Sequence, residues 1–162
     1  MRDLDQYSLR EIGLNLRQTG DFFDIGESRA RVYALQNYRD DRGALGIIDF
    51  TRDLPFSPQR VFYAFNVPSD QVRGEHAHRE CQQFLICLSG TCTLQIEDSK
   101  NKFQVLMDSP LFGVWLPPMI WSSQFDFSTD ATLFVLASEE YVERDYIRLY
   151  EEFRQTQEVV PS

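Results

Sequence analysis

The chain has 162 residues, 43% of them hydrophobic, which is enough for one well-packed domain. A formal net charge of -9 argues against general nucleic-acid binding and means that local arginines must hold any anionic substrate. No apolar run is long enough to span a membrane, the N-terminus lacks a secretory pattern, and three cysteines fit reduced thiols, so we expect a cytoplasmic protein.

Residues 1–29 differ in pattern from the rest of the chain. Ser8 and Glu11 have the spacing of a capping box, which predicts at most one short helix. We interpret 1–29 as an N-terminal extension and 30–162 as the main domain. A surface arm, an oligomer contact and a leader segment all remain open as roles for the extension.

From Arg31 onward, the sequence predicts short strands joined by turns. Some strands are β-branched and aromatic, some alternate apolar and polar residues, and some are continuous apolar runs typical of buried strands. Their regular spacing predicts an all-β sandwich or barrel. The predicted strands cover residues 31–36, 45–50, 60–65, 84–88, 91–97, 103–107, 114–116 and 132–136.

Only the C-terminal segment has a helical pattern. Asp145 is the predicted N-cap of a helix in which Tyr146 and Tyr150, and also Leu149 and Phe153, lie four residues apart. We interpret this aromatic stripe as core packing rather than as a ligand site.

Both histidines of the chain lie two residues apart, at His76 and His78. In an extended strand, such residues project from the same face. Because imidazole titrates near neutral pH and binds metals, the pair predicts a site for proton transfer or for a metal. The alternative is that these are two unrelated surface histidines. The close spacing argues against this, because the chain has no other histidine.

The spacing around the histidine pair resembles the first motif of the cupin superfamily, whose fold is a small jelly roll. Gln83 and Gly90 follow at the motif's intervals, but metal-binding cupins usually have a glutamate ligand at the position of Gln83. Their third histidine, five residues after a proline, corresponds to Ser122 when counted from Pro117. Two of the four usual ligands are thus missing, which predicts that the protein holds no metal.

Six segments between residues 60 and 148 occur in a specific order: RVFY, RGEHAH, QFLICLSG, LPPMIW, VLAS and DYIR. Together they resemble the dTDP-sugar 3,4-ketoisomerase family of WxcM-like cupins, over about residues 31–154. The resemblance implies an all-β fold, a single cupin jelly-roll barrel with a short C-terminal helix. It also implies a metal-independent isomerase without cofactor, which moves the keto group of a dTDP-linked 4-keto-6-deoxyhexose from C4 to C3 through an enediol.

The same resemblance implies the site. One catalytic group removes the C3 proton, a second acts as acid or relay, and hydroxyl or guanidinium donors stabilise the enediolate. The implied catalytic residues are His76 as base, His78 and Tyr63. Arginine guanidinium groups suit the diphosphate. The implied substrate-binding residues are Arg73, Arg60, Arg42, Gln83 and Trp121. Outside the histidine pair, several of these have a plain structural alternative: a turn residue, a strand-edge charge, a core aromatic or a packing tryptophan.

Two further expectations follow from the resemblance. Family members are typically homodimers that exchange an N-terminal strand, and the strand 31–36 would be safer paired with a partner than exposed. The Arg42-Gly43 pair resembles that of members whose 3-keto product has a galacto-like C4, which predicts a xylo-hexos-3-ulose.

Two other functions remain open. The first is a non-catalytic cupin that binds a sugar nucleotide or a small metabolite, and the second is a metal-dependent cupin enzyme.

Overall fold

The computed structural model describes residues 5–13, 16 and 21–158. These residues form fourteen strands and two short α-helices, α1 at Leu9–Gly13 and α2 at Tyr150–Glu158. The all-β class and the short C-terminal helix are therefore confirmed. The strands are β1 Asp5–Ser8, β2 Phe22–Asp24, β3 Arg31–Ala34, β4 Gln36–Asp40, β5 Gly43–Ile47, β6 Arg60–Phe65, β7 Arg73–His78, β8 Gln83–Ser89, β9 Cys92–Glu97, β10 Lys102–Met107, β11 Phe112–Leu116, β12 Trp121–Phe125, β13 Thr132–Ala137 and β14 Tyr146–Ile147.

Two six-stranded sheets make up most of the fold. The first has the order β1-β10-β9-β12-β7-β14 and the second β2-β3-β11-β8-β13-β6, while β4 and β5 form a separate hairpin. The sheets are not closed into one continuous barrel, so the jelly roll is a sandwich of two sheets. The main core includes fully or nearly fully buried side chains of both sheets, among them Leu94, Ile96, Val105, Val114 and Val135. Each such side chain contributes about 1.5–3 kcal/mol through burial.

The strand from residue 31 is shorter than predicted and its edges are covered. β3 ends at Ala34, and the chain enters the β4–β5 hairpin at Gln36. β2, which the sequence pattern did not predict, pairs with one edge of β3, while β11 pairs with the other. The prediction that this strand has unpaired edges is therefore wrong, because β2, a short strand from the N-terminal extension, occupies one edge and β11 occupies the other.

The described part of the N-terminal extension packs into the core of its own chain. β1 runs parallel to β10, and Leu9 and Ile12 of α1 are 0% and 4% exposed. The Ser8 hydroxyl accepts a 3.5 Å hydrogen bond from the Glu11 N–H, half of the predicted capping box. A surface arm does not describe these residues, because they bury apolar side chains under the sheets.

The prediction that Asp145 caps the C-terminal helix is wrong. Asp145 ends a short 3-10 turn, Tyr146 and Ile147 form β14, and α2 begins only at Tyr150. β14 pairs with the end of β7, and this pairing buries Ile147 completely. Sheet pairing thus supplies the backbone hydrogen bonds that the helical pattern alone would have predicted within a helix.

Candidate active site

Strand β7 carries the histidine pair. Tyr146 of β14 lies opposite His78, and Ser122 of β12 lies opposite His76. The two imidazole centroids are 4.9 Å apart, nearly perpendicular, as the same-face spacing predicted. Gly74 permits the close approach of β7 to β12, because its φ is +80° and a Cβ there would lie 2.8 Å from the Ser122 carbonyl oxygen.

Hydrogen bonds hold His78 at both ring nitrogens. Its Nδ1 lies 2.7 Å from an Asp145 carboxylate oxygen, and its Nε2 lies 3.1 Å from the Gln83 side-chain nitrogen. The carboxylate requires a proton on Nδ1, so Nε2 accepts from the Gln83 amide. Burial lowers the pKa of His78 to about 4, and the ring is therefore neutral in a single tautomer at pH 7.

Asp145 is the residue that fixes this tautomer. Burial by itself would raise the pKa of Asp145, but hydrogen bonds from His78 and from the Glu80 N–H bring the pKa below its usual value. The Glu80 N–H lies 2.7 Å from the second carboxylate oxygen. Asp145 is thus an ionised hydrogen-bond acceptor for His78. The sequence pattern had predicted it as a helix N-cap instead.

His76 differs from its neighbour because one ring nitrogen remains available. Its Nδ1 lies 2.9 Å from the Gly74 carbonyl oxygen, so Nδ1 carries the proton. Its Nε2 is buried and has no hydrogen-bond partner among the described residues. Burial lowers the pKa of His76, the ring is neutral at pH 7, and Nε2 offers the lone pair that a general base needs.

Arg60 brings positive charge to this neutral pair. Its Nε is buried without a partner among the described residues, and its Nη2 lies 3.3 Å from the Tyr146 hydroxyl oxygen. The guanidinium also lies 5.3 Å from the Phe62 ring centroid and 5.6 Å from that of Tyr141. A partly buried cation with a free, buried Nε–H can stabilise an oxyanion in this space.

Tyr146 and Arg148 complete the cluster and were not predicted as site residues. The Tyr146 ring centroid lies 5.0 Å from that of His76 and 4.3 Å from that of His78. The Arg148 guanidinium lies over the Tyr146 ring at 4.3 Å, and Glu143 accepts hydrogen bonds from Arg148. The DYIR motif was the signal for these residues, but the helical interpretation placed them outside the site.

Two predicted residues lie on other faces of the sheets. Tyr63 is 61% exposed and alternates along β6 with Arg60 and Ala64, the latter packed on the core, so its ring points outward. Trp121 packs with Ala77 and Phe153 on the sheet face opposite the histidines. These positions do not fit the expectations that Tyr63 stabilises the enediolate and that Trp121 walls the sugar pocket.

The two remaining arginines have no contact with the histidines in the described structure. Arg42 lies in the β4–β5 turn, its side chain is 90% exposed, and it pairs with Asp40 of the same turn. Arg73 is exposed at the start of β7, opposite Gln124. Gln83, in contrast, hydrogen-bonds to the His78 imidazole, and its contact with substrate stays a prediction.

Metal-binding geometry is limited to one group in the described part of the chain. Donor atoms of His78, Cys81 and Asp145 lie within 4.8 Å of one another. This is not the cupin ligand set, since Gln83 and Ser122 occupy the remaining motif positions and the His78 Nδ1 proton already bonds to Asp145. The absence of a catalytic metal therefore stays a prediction.

The neutral His78 predicts a loss of stability in acid. An unfolded histidine takes up a proton below about pH 6.5, whereas folded His78 does so only near pH 4, so stability falls as the pH drops between these values. The shift corresponds to roughly 3 kcal/mol. In the unmodified protein, the free energy of unfolding, measured with urea, should fall between pH 7 and pH 4. In His78→Asn, this fall should be smaller by roughly 3 kcal/mol. An identical pH dependence in the two proteins would contradict this assignment.

Comparison with known proteins gives one family and several solved relatives. Residues 28–158 match the family described as "FdtA: WxcM-like, C-terminal". The chain is 40% identical, over 124 residues, to the TDP-4-oxo-6-deoxy-alpha-D-glucose-3,4-oxoisomerase of Aneurinibacillus thermoaerophilus, and the match covers 76% of this chain and 89% of the relative.

Among solved structures, the sugar 3,4-ketoisomerase QdtA of Thermoanaerobacterium thermosaccharolyticum, in complex with TDP, is similar with a TM-score of 0.80 and 32% identity. The similarity covers 82% of this chain and 96% of QdtA. WlaRB, a TDP-quinovose 3,4-ketoisomerase from Campylobacter jejuni, has a TM-score of 0.75 and 35% identity, covering 78% of this chain and 98% of that structure. No helix among the described residues has the length and apolar character needed to cross a membrane.

Proposed function

The chain belongs to the WxcM-like FdtA family, and from this membership we propose that it is a TDP-sugar 3,4-ketoisomerase acting on TDP-4-keto-6-deoxyglucose. The observation that carries the proposal is that two residues in contact with Tyr146 each have a buried atom without a partner among the described residues, His76 Nε2 and Arg60 Nε. One is a lone pair that can accept a carbon-bound proton. The other is a cationic donor for the oxygen on which charge develops.

The first step of the reaction uses these two features, and the reaction needs no redox partner. His76 Nε2 removes the C3 proton, the C3–H electrons form the C3=C4 bond, and charge develops on O4. Arg60 stabilises that charge through its buried Nε–H, and a preformed donor of this kind contributes on the order of 10²–10³ in rate. Because the whole chain carries a charge of -9, this local cation, rather than the global field, attracts the anionic intermediate.

His78 has a different role in this proposal from the acid or relay that the sequence suggested. Its Nδ1–H is donated to Asp145 and its Nε2 accepts from Gln83, so it offers no free N–H to a sugar. We assign it a positioning role: its ring packs against both His76 and Tyr146.

Incubation with TDP-4-keto-6-deoxyglucose in the presence of a chelator tests the function directly. We expect the 3-keto isomer in the proton NMR spectrum at catalytic protein concentration. Binding of the nucleotide sugar without turnover would favour the non-catalytic cupin instead. Turnover that disappears with chelation and returns with a stoichiometric metal would favour the metal-dependent enzyme.

We further propose a homodimer, because apolar side chains remain exposed along a sheet edge. β6 ends the order of the second sheet, and Val61, Tyr63 and Phe65 on its outer face are each about half exposed. Such an edge invites pairing, and a second copy can pair with it around a two-fold axis.

Light scattering is expected to give about twice the chain mass of 19.0 kDa. Phe65→Glu should shift the protein toward the monomer, because dimerisation would bury this edge and the carboxylate would then have to be desolvated. Leu149→Glu is the matched control, since Leu149 is even more exposed but lies outside this edge. A monomeric mass for the unmodified protein at micromolar concentration would contradict the proposal.

The proposed setting is the cytoplasm, in the biosynthesis of deoxysugars for surface glycans. The cysteines Cys81, Cys87 and Cys92 are buried and unpaired, as expected for a reducing compartment.

A further inference from the structure

We propose that the Tyr146 hydroxyl carries the second proton of the isomerisation, transferring it between O4 and O3 of the sugar. This inference rests on the proposed function, and it assigns a catalytic role to a residue outside the predicted set. The base accounts only for the proton that moves between carbons. The oxygens also exchange a proton, since O4 ends as a hydroxyl and O3 as a carbonyl.

Contacts with neighbouring side chains restrict the position of Tyr146. β14 pairs with β7 so that Tyr146 lies directly opposite His78. Its ring contacts both imidazoles, with the Arg148 guanidinium 4.3 Å from its centroid. Such packing restricts the ring and therefore fixes the direction of its hydroxyl.

The hydroxyl itself is arranged as a donor. Arg60 Nη2 lies 3.3 Å from the phenol oxygen, and because a guanidinium can only donate, the phenol oxygen is the acceptor. The phenol proton is thus left for a further acceptor. The unpartnered Nε belongs to the same Arg60 guanidinium. Arg60 therefore stabilises the O4 oxyanion and also holds Tyr146, which protonates that oxygen.

Three other groups, His78, Tyr63 and Tyr141, are less suitable for this role. Both nitrogens of His78 are engaged by Asp145 and Gln83. Tyr63, the tyrosine that the family resemblance suggested, points outward from β6 and is 61% exposed. Tyr141 donates to Glu143 and is largely exposed.

The proton and electron balance closes with two groups. His76 takes the C3 proton, the C3–H pair forms the C3=C4 bond, the C4=O π pair moves to O4, and O4 takes the Tyr146 proton. The Tyr146 phenolate, beside Arg60, then takes the O3 proton. The O3–H pair forms C3=O, and the C3=C4 pair takes the proton from the His76 imidazolium at C4. Both groups return to their starting states.

Tyr146→Phe tests this role because it removes the hydroxyl and keeps the ring. We expect kcat to fall about 10²-fold or more, with KM and TDP affinity changed by less than about threefold. Exchange of the C3 proton with deuterated solvent depends on His76 and Arg60, so it should fall much less than isomerisation. The ratio of exchange to isomerisation should therefore rise at least about tenfold.

Tyr150→Phe is the matched control, because it removes a phenol hydrogen bond, to Glu97, away from the histidines. It should leave kcat and the exchange ratio unchanged. A wild-type kcat in Tyr146→Phe, or an equal loss of exchange and isomerisation, would overturn the role of Tyr146 while leaving the proposed function standing. A wild-type protein without isomerase activity would remove both.

Discussion

Replacing His76 with asparagine is expected to abolish both isomerisation and the exchange of the C3 proton with solvent deuterium. His76 Nε2 is the buried ring nitrogen with no hydrogen-bond partner among the described residues, and an asparagine amide cannot act as a base of comparable strength. General bases contribute on the order of 10²–10⁴ in rate, and we expect a loss at the upper end of this range. Deuterium incorporation followed by proton NMR measures the exchange step without requiring product.

Affinity for TDP should stay within about threefold in the same variant, because no nucleotide contact is proposed for this ring. Tyr63→Phe serves as the comparison: its hydroxyl lies on the outer face of β6, and turnover should change less than about twofold. Undiminished exchange in His76→Asn would show that another group is the base. A large loss in Tyr63→Phe would show that the outward position of Tyr63 is not the one used in catalysis.

Deuterium placed at C3 of the substrate is expected to appear at C4 of the product, with a single configuration. His76 is the proposed base for C3 and the proposed donor for C4, so the proton leaves and arrives on the same face of the planar enediol. In the gluco series, the C3 and C4 hydrogens point to opposite faces. Delivery from the C3 face therefore places the C4 hydroxyl in the galacto-like orientation, which gives the xylo-hexos-3-ulose.

This stereochemical expectation agrees with the one from the Arg42-Gly43 resemblance but has a different basis, since it depends on one base alone. Single-turnover proton and deuterium NMR would measure the label at C4 and the coupling between H4 and H5. Partial loss of label to solvent is compatible with one base. A ribo product as the first-formed epimer, with no label transferred, would require a second donor on the opposite face.

The pKa of His76 also predicts how the isomerase activity depends on pH. Because burial lowers the pKa of His76, its base form persists somewhat below pH 6.5, and activity should decline only at lower pH. Measurements at neutral pH therefore compare variants on the plateau.

The amino-acid sequence by itself determined the strands and the shared face of the histidines. These properties are local. Apolar alternation and β-branched runs define β6, β8, β9 and β10. Because His76 and His78 are two residues apart, they lie on the same face of β7. The family motifs added the reaction. Gln83 was also identified, because its distance from the histidines along the chain is short.

The tertiary structure alone decided which residues surround the histidines. Asp145 lies 67 residues from its partner His78, and Arg60 lies 86 residues from Tyr146. Such contacts depend on the pairing of β14 with β7 and on how the two sheets face each other, and no local periodicity encodes either. The helical spacing of Tyr146 and Tyr150 was misleading for the same reason: backbone hydrogen bonds to a distant strand outweighed the local helical preference of the segment.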